Sequence, residues 1–80
     1  MTEVTLLTKG DCDLCEQAKT VLARLAQEYP LELSEFTLDS EAGQELARTA
    51  AAPFPPVVFL DGRPFSYGRL SERKLRKALR

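Results

Sequence analysis

The sequence contains no histidine and no tryptophan, and its 80 residues include only two cysteines, Cys12 and Cys15. Without histidine, a nucleophile activated by an imidazole base is excluded, and so is a zinc site with histidine ligands. Two cysteines alone cannot complete a four-ligand structural zinc site within one chain. Three roles remain for the two thiols: redox chemistry, binding of a metal that is shared with another molecule, or burial as small apolar side chains.

Long apolar runs and a strong net charge are also missing. No stretch approaches the length that crosses a bilayer, and no basic region followed by an apolar segment opens the chain. The net charge of −1 gives the molecule as a whole no attraction to nucleic acid or membranes. We expect a single domain over residues 1–80, a cytoplasmic monomer that binds neither nucleic acid nor membranes.

The two cysteines lie at the turn around which the other elements are arranged. Residues 3–8 predict a short buried strand, Gly10 permits a sharp turn, and Cys12 and Cys15 open a helix. At this spacing both sulfurs lie on one side of the first helical turn, close enough for a disulfide. The helix N-terminus favours a thiolate at Cys12. This placement favours redox or metal chemistry over burial as small apolar side chains.

Two aspartates flank Cys12 and oppose its ionisation, whereas Lys9 favours it. A charge roughly 7 Å away, at an effective dielectric constant of ~40, costs the thiolate about 1 kcal/mol. We therefore expect Cys12 to be less acidic than the cysteines of strongly oxidising dithiol proteins, and the couple to be correspondingly reducing. A simpler role for Asp11 and Asp13 is to favour the start of the helix.

The first half of the chain predicts a strand, a helix and a second strand. Apolar residues recur at helical spacing from Asp13 to about Glu28, and Pro30 ends this helix. A strand follows over residues 31–38, with apolar residues on both alternating faces, which predicts a two-sided buried strand or a bulge. The helix between the two strands implies that they pair in parallel.

The second half predicts a helix, a hairpin and a last helix. Asp39 or Ser40 can cap the second helix, which contains Gly43 and runs to about Ala51 before a proline-rich stop. Residues 57–60 predict a central strand, and Asp61-Gly62 predicts a tight hairpin turn.

The hairpin leads into an edge strand over residues 63–67, because Pro64 cannot donate a ladder hydrogen bond. Ser71 is placed to cap the last helix. We predict that this helix buries Leu75, Ala78 and Leu79.

Three segments together resemble the glutaredoxins and, more loosely, the thioredoxin fold family. They are residues 9–15 after the first strand, residues 56–62 at the hairpin, and Gly68 after the fourth strand. A lone Cys-x-x-Cys is only moderately specific, but this combination is strong and covers nearly the whole chain. The resemblance implies an α/β thioredoxin-like three-layer sandwich, with a four-stranded mixed sheet flanked by three helices. It also implies an electron-transport enzyme, a thiol–disulfide oxidoreductase with no bound cofactor.

The resemblance also implies roles for individual residues. Cys12 is the nucleophile and Cys15 the resolving thiol, while Lys9 matches a lysine that helps to hold glutathione. Pro56 matches the cis-proline of the family, which would turn the Pro55 carbonyl toward an incoming peptide backbone. The predicted substrate-binding residues are Lys9, Asp13, Leu14, Pro55, Pro56 and Gly68.

The chain departs from the family where glutathione, the reductant that the resemblance implies, would bind. Asp13-Leu14 replaces the proline and aromatic residue of common glutaredoxins. Pro55 has no N–H, so one of the two backbone hydrogen bonds to glutathione cannot form. The family also has a Gly-Gly pair followed by an acidic residue, whereas here the stretch is Tyr67-Gly68-Arg69-Leu70-Ser71 and the nearest acid is Glu72. The expected substrate is therefore a disulfide-containing protein or a small thiol.

A thiolate metal-binding module, a copper chaperone or an iron–sulfur carrier, is the alternative function. Soft thiolates before a helix suit Cu(I), but small copper carriers have two strands directly after the first helix, where this chain predicts a second helix. An iron–sulfur cluster would need ligands from two chains.

The C-terminal stretch is basic, with six Lys or Arg residues from Arg69 to Arg80 against only Glu72. A basic helix of this kind can bind nucleic acid or an acidic partner. Because no aromatic residues are interleaved along it, we favour a solvated helix whose cations complement the helix dipole.

Overall fold

The computed structural model describes all 80 residues and has the predicted order β-α-β-α-β-β-α. The elements are β1 (Thr2–Thr8), α1 (Asp13–Ala26), β2 (Leu31–Thr37), α2 (Glu41–Ala50), β3 (Val57–Leu60), β4 (Arg63–Tyr67) and α3 (Glu72–Leu79). None of the three helices combines the length and apolar character that crossing a membrane requires.

The four strands form one mixed sheet in the order β2-β1-β3-β4. β1 and β2 pair in parallel from Thr2 opposite Leu31 to Thr8 opposite Thr37, as the strand–helix–strand pattern predicts. β3 runs antiparallel to both β1 and β4. The apolar β1 and β3 are central, and β4 with Pro64 is an edge strand, as predicted.

One face of the sheet is covered by α1 and α3. The apolar stripe of α1 is buried together with Leu70 and Leu75, which lie on either side of the Ser71 cap. Ser71 accepts a hydrogen bond from the Lys74 N–H at 3.2 Å, which confirms the predicted cap. The nine buried residues of this first core cluster are Val4, Leu6, Ala18, Val21, Leu22, Leu25, Val58, Leu70 and Leu75.

The other face is covered by α2 alone. Its buried residues are Leu7, Val57 and Phe59, and the inner face of α2 packs against them through Leu46, Ala47 and Ala50. The cap is Ser40, whose hydroxyl oxygen accepts a hydrogen bond from the Gly43 N–H at 2.9 Å. A Cβ on Gly43 would lie 1.9 Å from the Thr37 carbonyl oxygen, so glycine permits α2 to approach the end of β2.

The prediction that β2 is a two-sided buried strand or carries a bulge is wrong. Its pairing with β1 is regular, and it is exposed along nearly its whole length. It lies at the edge of the sheet, beyond the cover that the helices give to the central strands, and Leu33 remains 44% exposed. The apolar residues on both faces of β2 therefore belong to an edge strand that the helices cover only in part.

The ends of α1 and α2 lie within two residues of the predicted positions, and one predicted buried position is wrong. α1 ends at Ala26, short of Glu28, and a turn leads to Pro30. α2 ends at Ala50 because Ala51 adopts a left-handed conformation (φ 53°) before the proline-rich segment begins. Ala78 is exposed, because the core-facing side of α3 is defined by Leu75 and Leu79.

The hairpin is tied to the first strand at the end of the sheet where β3 meets β4. Asp61 and Gly62 both have positive φ angles, 49° and 82°, as expected for a tight Asp-Gly turn. Asp61 also donates its N–H to the Glu3 carbonyl at 2.8 Å and accepts the Glu3 N–H on its carboxylate at 3.0 Å.

Candidate active site

The register of the strands brings the sequence-predicted site residues to one end of the sheet. Leu7 near the end of β1 pairs with Val57 at the start of β3, and Val57 pairs with Tyr67 at the end of β4. The dithiol loop after Thr8, the Pro55–Pro56 segment before Val57, and Gly68 after Tyr67 therefore share this end. We call it the dithiol end of the sheet.

Cys12 occupies the N-cap position of α1. It has extended backbone angles (φ −131°, ψ 102°), and its sulfur accepts a hydrogen bond from the Cys15 N–H at 3.1 Å. The Cα atoms of the two cysteines are 5.2 Å apart, and the sulfur atoms lie at disulfide-bonding distance. The N–H groups at the start of a helix have no acceptor within the helix, and here the Cys15 N–H donates to the sulfur of Cys12.

The two sulfurs differ in their access to solvent. Cys15 is 1% exposed and belongs to the buried side of α1, whereas Cys12 is partly exposed at the helix start. The loop before them is exposed at Lys9, Gly10 and Asp11, and Asp11 takes a left-handed conformation with φ 49°. An incoming molecule can therefore approach Cys12, whereas Cys15 is shielded.

Pro55 and Pro56 precede β3 and Gly68 follows β4 at the dithiol end of the sheet. The Pro55–Pro56 peptide bond is cis, Pro56 is buried and Pro55 is partly exposed. The Pro56 carbonyl accepts the Gly68 N–H at 2.8 Å. Gly68 has a φ of 71°, so the chain leaves β4 in a conformation that favours glycine.

An aromatic pair beside this segment was not among the predicted site residues. Phe54 and Tyr67 meet edge to face with ring centroids 5.5 Å apart, and each ring is about half exposed. A Cβ on Gly68 would lie 3.0 Å from the Phe54 ring. Their positions next to Pro55 and Gly68 could have suggested this contact, but only the register of β3 and β4 brings the two rings together.

Lys9 lines an open cavity of about 230 Å³ together with Gly10, Leu38 and Asp39. Leu38 and Asp39 follow β2, which ends beside β1 because the two strands are parallel. Leu38 and Asp39 were not among the predicted site residues, although the predicted parallel pair of strands implied their position. Of the two residues between the cysteines, Asp13 is exposed and Leu14 is partly exposed.

No three His, Cys, Asp or Glu side chains are placed so that they could hold a metal ion together. A metal ion at this end would therefore have the two cysteine sulfurs as its ligands from this chain, and the remainder would come from another molecule.

Ion pairs attach α1 to α3. Arg76 forms hydrogen bonds with Glu28 at 2.7 and 2.8 Å and with Glu72, and Arg24 also pairs with Glu72. The hydrogen bonds from Arg76 lower the pKa values of Glu28 and Glu72 and raise the pKa of Arg76 itself. The helix that presents Cys12 is thus fixed both by its buried stripe and by this charged layer.

Lys19 makes a similar connection from α1 to β2. Its ammonium group contacts Glu16 at 2.9 Å and Glu35 at 3.3 Å, and these carboxylates raise its pKa. Glu35 also accepts a hydrogen bond at 2.9 Å from Thr8, the buried last residue of β1 before the dithiol loop.

The family model described as Glutaredoxin-like domain (DUF836) matches residues 3–80. Uncharacterized proteins from Mycobacterium bovis and Mycobacterium tuberculosis are each 34% identical over 76 residues, which is 92% of this chain and 78% of theirs. Protein TrbB of Escherichia coli is 38% identical over 56 residues, covering 70% of this chain but only 30% of TrbB.

Solved structures show the same fold at low sequence identity. A thioredoxin mutant from Halobacterium salinarum superposes with a TM-score of 0.76 at 20% identity, covering 98% of this chain and 71% of that one. Glutaredoxin 1 from Francisella tularensis, in complex with cacodylate, gives a TM-score of 0.65 at 17% identity and covers 98% and 94% of the two chains. The predicted fold is confirmed.

Proposed function

The chain belongs to the glutaredoxin-like domain (DUF836) family, and we propose that it is a dithiol enzyme that reduces disulfides through Cys12 and Cys15. The observation that carries this proposal is the unequal exposure of two sulfurs at bonding distance. A partly exposed sulfur at a helix start can meet a substrate disulfide, and a buried neighbour can resolve the product without competing for substrate.

The reaction begins with the reduced protein. The Cys12 thiolate attacks one sulfur of the substrate disulfide, an S–S bond forms between them, and the other substrate sulfur leaves as a thiolate that takes a proton. Cys15 then loses its proton and attacks the Cys12 sulfur, which releases the second substrate thiol. The substrate gains two electrons and two protons, and the protein becomes the disulfide. A thiol or dithiol reductant must then return two electrons to Cys12 and Cys15.

The surroundings of Cys12 support its role as the nucleophile. The Cys15 N–H, 3.1 Å from the sulfur of Cys12, is placed to stabilise the thiolate when the disulfide opens. Asp13 and Leu14 lie between the cysteines, next to the path of the substrate.

We propose that the Pro55–Pro56 segment positions the backbone of the substrate. Because Pro55 has no N–H and the Pro56 carbonyl is already bonded to Gly68, we assign the Pro55 carbonyl as the acceptor for a substrate N–H. The Lys9 cavity is proposed to hold another part of the substrate or a small thiol.

A redox titration with two cysteine variants tests the proposal. The chain has no cysteine besides these two, so alkylation followed by mass measurement reports on them alone. We expect a reversible intramolecular disulfide with a midpoint between roughly −180 and −270 mV in glutathione buffers. Cys12→Ser should abolish reduction of a peptide disulfide, and Cys15→Ser should trap a mixed disulfide on Cys12.

The metal-binding alternative is separated by anaerobic purification followed by metal analysis. If both thiols stay reduced across the titration and metal is bound in stoichiometric amount, the oxidoreductase proposal is wrong. A stable glutathione adduct on Cys12 would instead identify glutathione as a ligand despite the missing N–H of Pro55.

A further inference from the structure

The charges of this chain are separated along its sequence although its net charge is only −1. Residues 1–62 contain four basic and eleven acidic side chains, whereas residues 63–80 contain seven basic and one acidic. The last segment consists of β4, α3 and the residues that join them. The nearly neutral total therefore conceals a molecule with one strongly basic region.

Apart from Arg76, which is paired with Glu28 and Glu72, the basic residues of α3 and its C-cap Arg80 lie on one face of the helix. Arg73, Lys77 and Arg80 are spaced four and three residues apart, and Lys74 lies three residues before Lys77. All four are exposed, on the side opposite the buried Leu75. We call these four residues the basic stripe.

Intramolecular ion pairs do not account for the stripe. The acidic partners on this side of the molecule, Glu28 and Glu72, are paired with Arg24 and Arg76, which lie between α1 and α3. None of the four stripe residues has a carboxylate oxygen within 4.0 Å. Complementing the dipole of an eight-residue helix does not require four free cations, since that effect is confined to the last turn.

The stripe is connected to the dithiol end of the sheet through Arg69. This exposed residue follows Gly68 directly, and its guanidinium reaches Gln17 of α1 at 3.5 Å, two residues after Cys15. Farther along α1 the contacts with α3 continue in the same direction, from Glu72 with Arg24 to Arg76 with Glu28. The line of cations therefore begins beside the dithiol and extends along the flank of the molecule.

We propose that the basic stripe, together with Arg69, docks an acidic segment of the protein whose disulfide is reduced at Cys12. This inference rests on the proposed function. Asp11 and Asp13 repel acidic residues from the dithiol loop itself, so the two signs of charge orient the partner with its acidic segment over α3. Attraction of this kind mainly raises the association rate and weakens as salt is added.

A polypeptide fits this surface better than a nucleic acid. The stripe lies on one helix of about 12 Å, which a short acidic segment can cover. A long polyanion would also extend over the remaining surface, which carries a large excess of carboxylates. No aromatic residue lies on α3 to stack against a base.

The test uses three peptides with the same disulfide. Each peptide also has a tail that begins about four residues from the disulfide, and the tail consists of Glu in the first peptide, Gln in the second and Lys in the third. We expect kcat/KM for the Glu-tailed peptide to exceed that for the Gln-tailed peptide by about tenfold at low ionic strength, and salt to remove the difference. Lys77→Glu and Arg73→Glu should each reduce this preference at least threefold. Arg48→Glu, the same charge change on α2, should leave it intact.

Equal kcat/KM for the three peptides, or an equal loss of preference in Arg48→Glu, would overturn the inference while leaving the proposed function in place. If no peptide is reduced, the proposed function fails, and backbone amide chemical shifts then decide the inference. Shifts confined to α3 with the Glu-tailed peptide would support it. Absence of those shifts, or stronger binding of a single-stranded oligonucleotide at α3, would contradict it.

Discussion

The two faces of the sheet are built differently, although both are covered by helix. The face under α1 and α3 has nine buried residues in one cluster, and ion pairs bridge its two helices. The face under α2 has three buried residues, and α2 contributes mainly alanines and one partly buried leucine. Cys12 lies at the start of a helix on the first face, so the sulfur that we propose as the nucleophile is attached to the better-packed half of the molecule.

The difference shows two ways of holding a helix on a sheet. α1 is held by large apolar side chains that fill space between the layers, and its stability contribution scales with the area they bury. α2 contributes smaller side chains to its core and approaches the sheet backbone closely at Gly43, where Thr37 leaves no room for a Cβ. Substitutions on the two faces should therefore act through different physical causes.

The largest expected effect is a cavity on the α1 face. Leu25→Ala removes a side chain that is 0% exposed and should lower the free energy of unfolding by about 2–5 kcal/mol, measured by urea titration with circular dichroism. Leu46→Ala, the matching change in the partly buried leucine of α2, should cost less than half as much. Equal losses at the two leucines would contradict the unequal packing of the faces.

Gly43→Ala should have the next largest effect, by overcrowding the α2 face. The added Cβ meets the Thr37 carbonyl, which is backbone and cannot rotate away, so we expect a loss of about 1–3 kcal/mol in the same titration. Alanine is the better helix former by about 1 kcal/mol, so a helix held only by propensity would be stabilised instead. Gly10→Ala, where no atom lies within 4 Å, is the control and should change stability little.

A smaller, pH-dependent effect should come from the ion pairs of the α1 face. Because their pKa values are lowered from 4.5 in the folded state, Glu28 and Glu72 stabilise the protein above about pH 4.5. That contribution is lost as the pH falls through the lowered values. Arg76→Gln should therefore lower the urea midpoint at neutral pH and flatten its decrease below pH 4.5. Arg48→Gln, in an ion pair on α2, should keep the wild-type slope.

The smallest predicted effect concerns the dithiol itself and separates local charge from packing. Asp13→Asn removes one carboxylate next to Cys12, which should raise the alkylation rate of reduced Cys12 at pH 7 severalfold, consistent with about 1 kcal/mol. Leu25→Ala should leave that rate unchanged while the protein is folded. If Leu25→Ala changes the alkylation rate of Cys12 in the folded protein, the reactivity of Cys12 depends on the packing of α1 against the sheet.

Much of the fold could be predicted because local signals and long-range packing agree. The apolar stripe of α1, the Ser71 cap with Leu70 and Leu75 around it, and the Asp61-Gly62 turn each depend on neighbouring residues only. The strand–helix–strand pattern then determined the parallel pairing of β1 and β2.

The errors lie where distant parts of the chain decide the outcome. Leu33 and Phe36 gave no indication that their strand would be an edge, since strand order is set by β3 inserting beside β1. Glycine is a poor helix former, yet Gly43 is the contact that allows α2 to dock. In the candidate site, the cysteines and prolines follow from local sequence, whereas Tyr67 against Phe54 requires the strand register.

The exposed edge strand β2 also bears on how this protein behaves at high concentration. An unpaired strand edge with half-exposed Leu33 and Phe36 is a template for adding further strands, which is the first step toward fibrils. Glu32 lies next to Leu33, is exposed and has no ion-pair partner within 4.0 Å, whereas Glu35 next to Phe36 is paired with Lys19. We therefore expect Glu32 to act as a gatekeeper on this edge, so that the solubility of the protein depends on a carboxylate outside the dithiol loop and the proline segment.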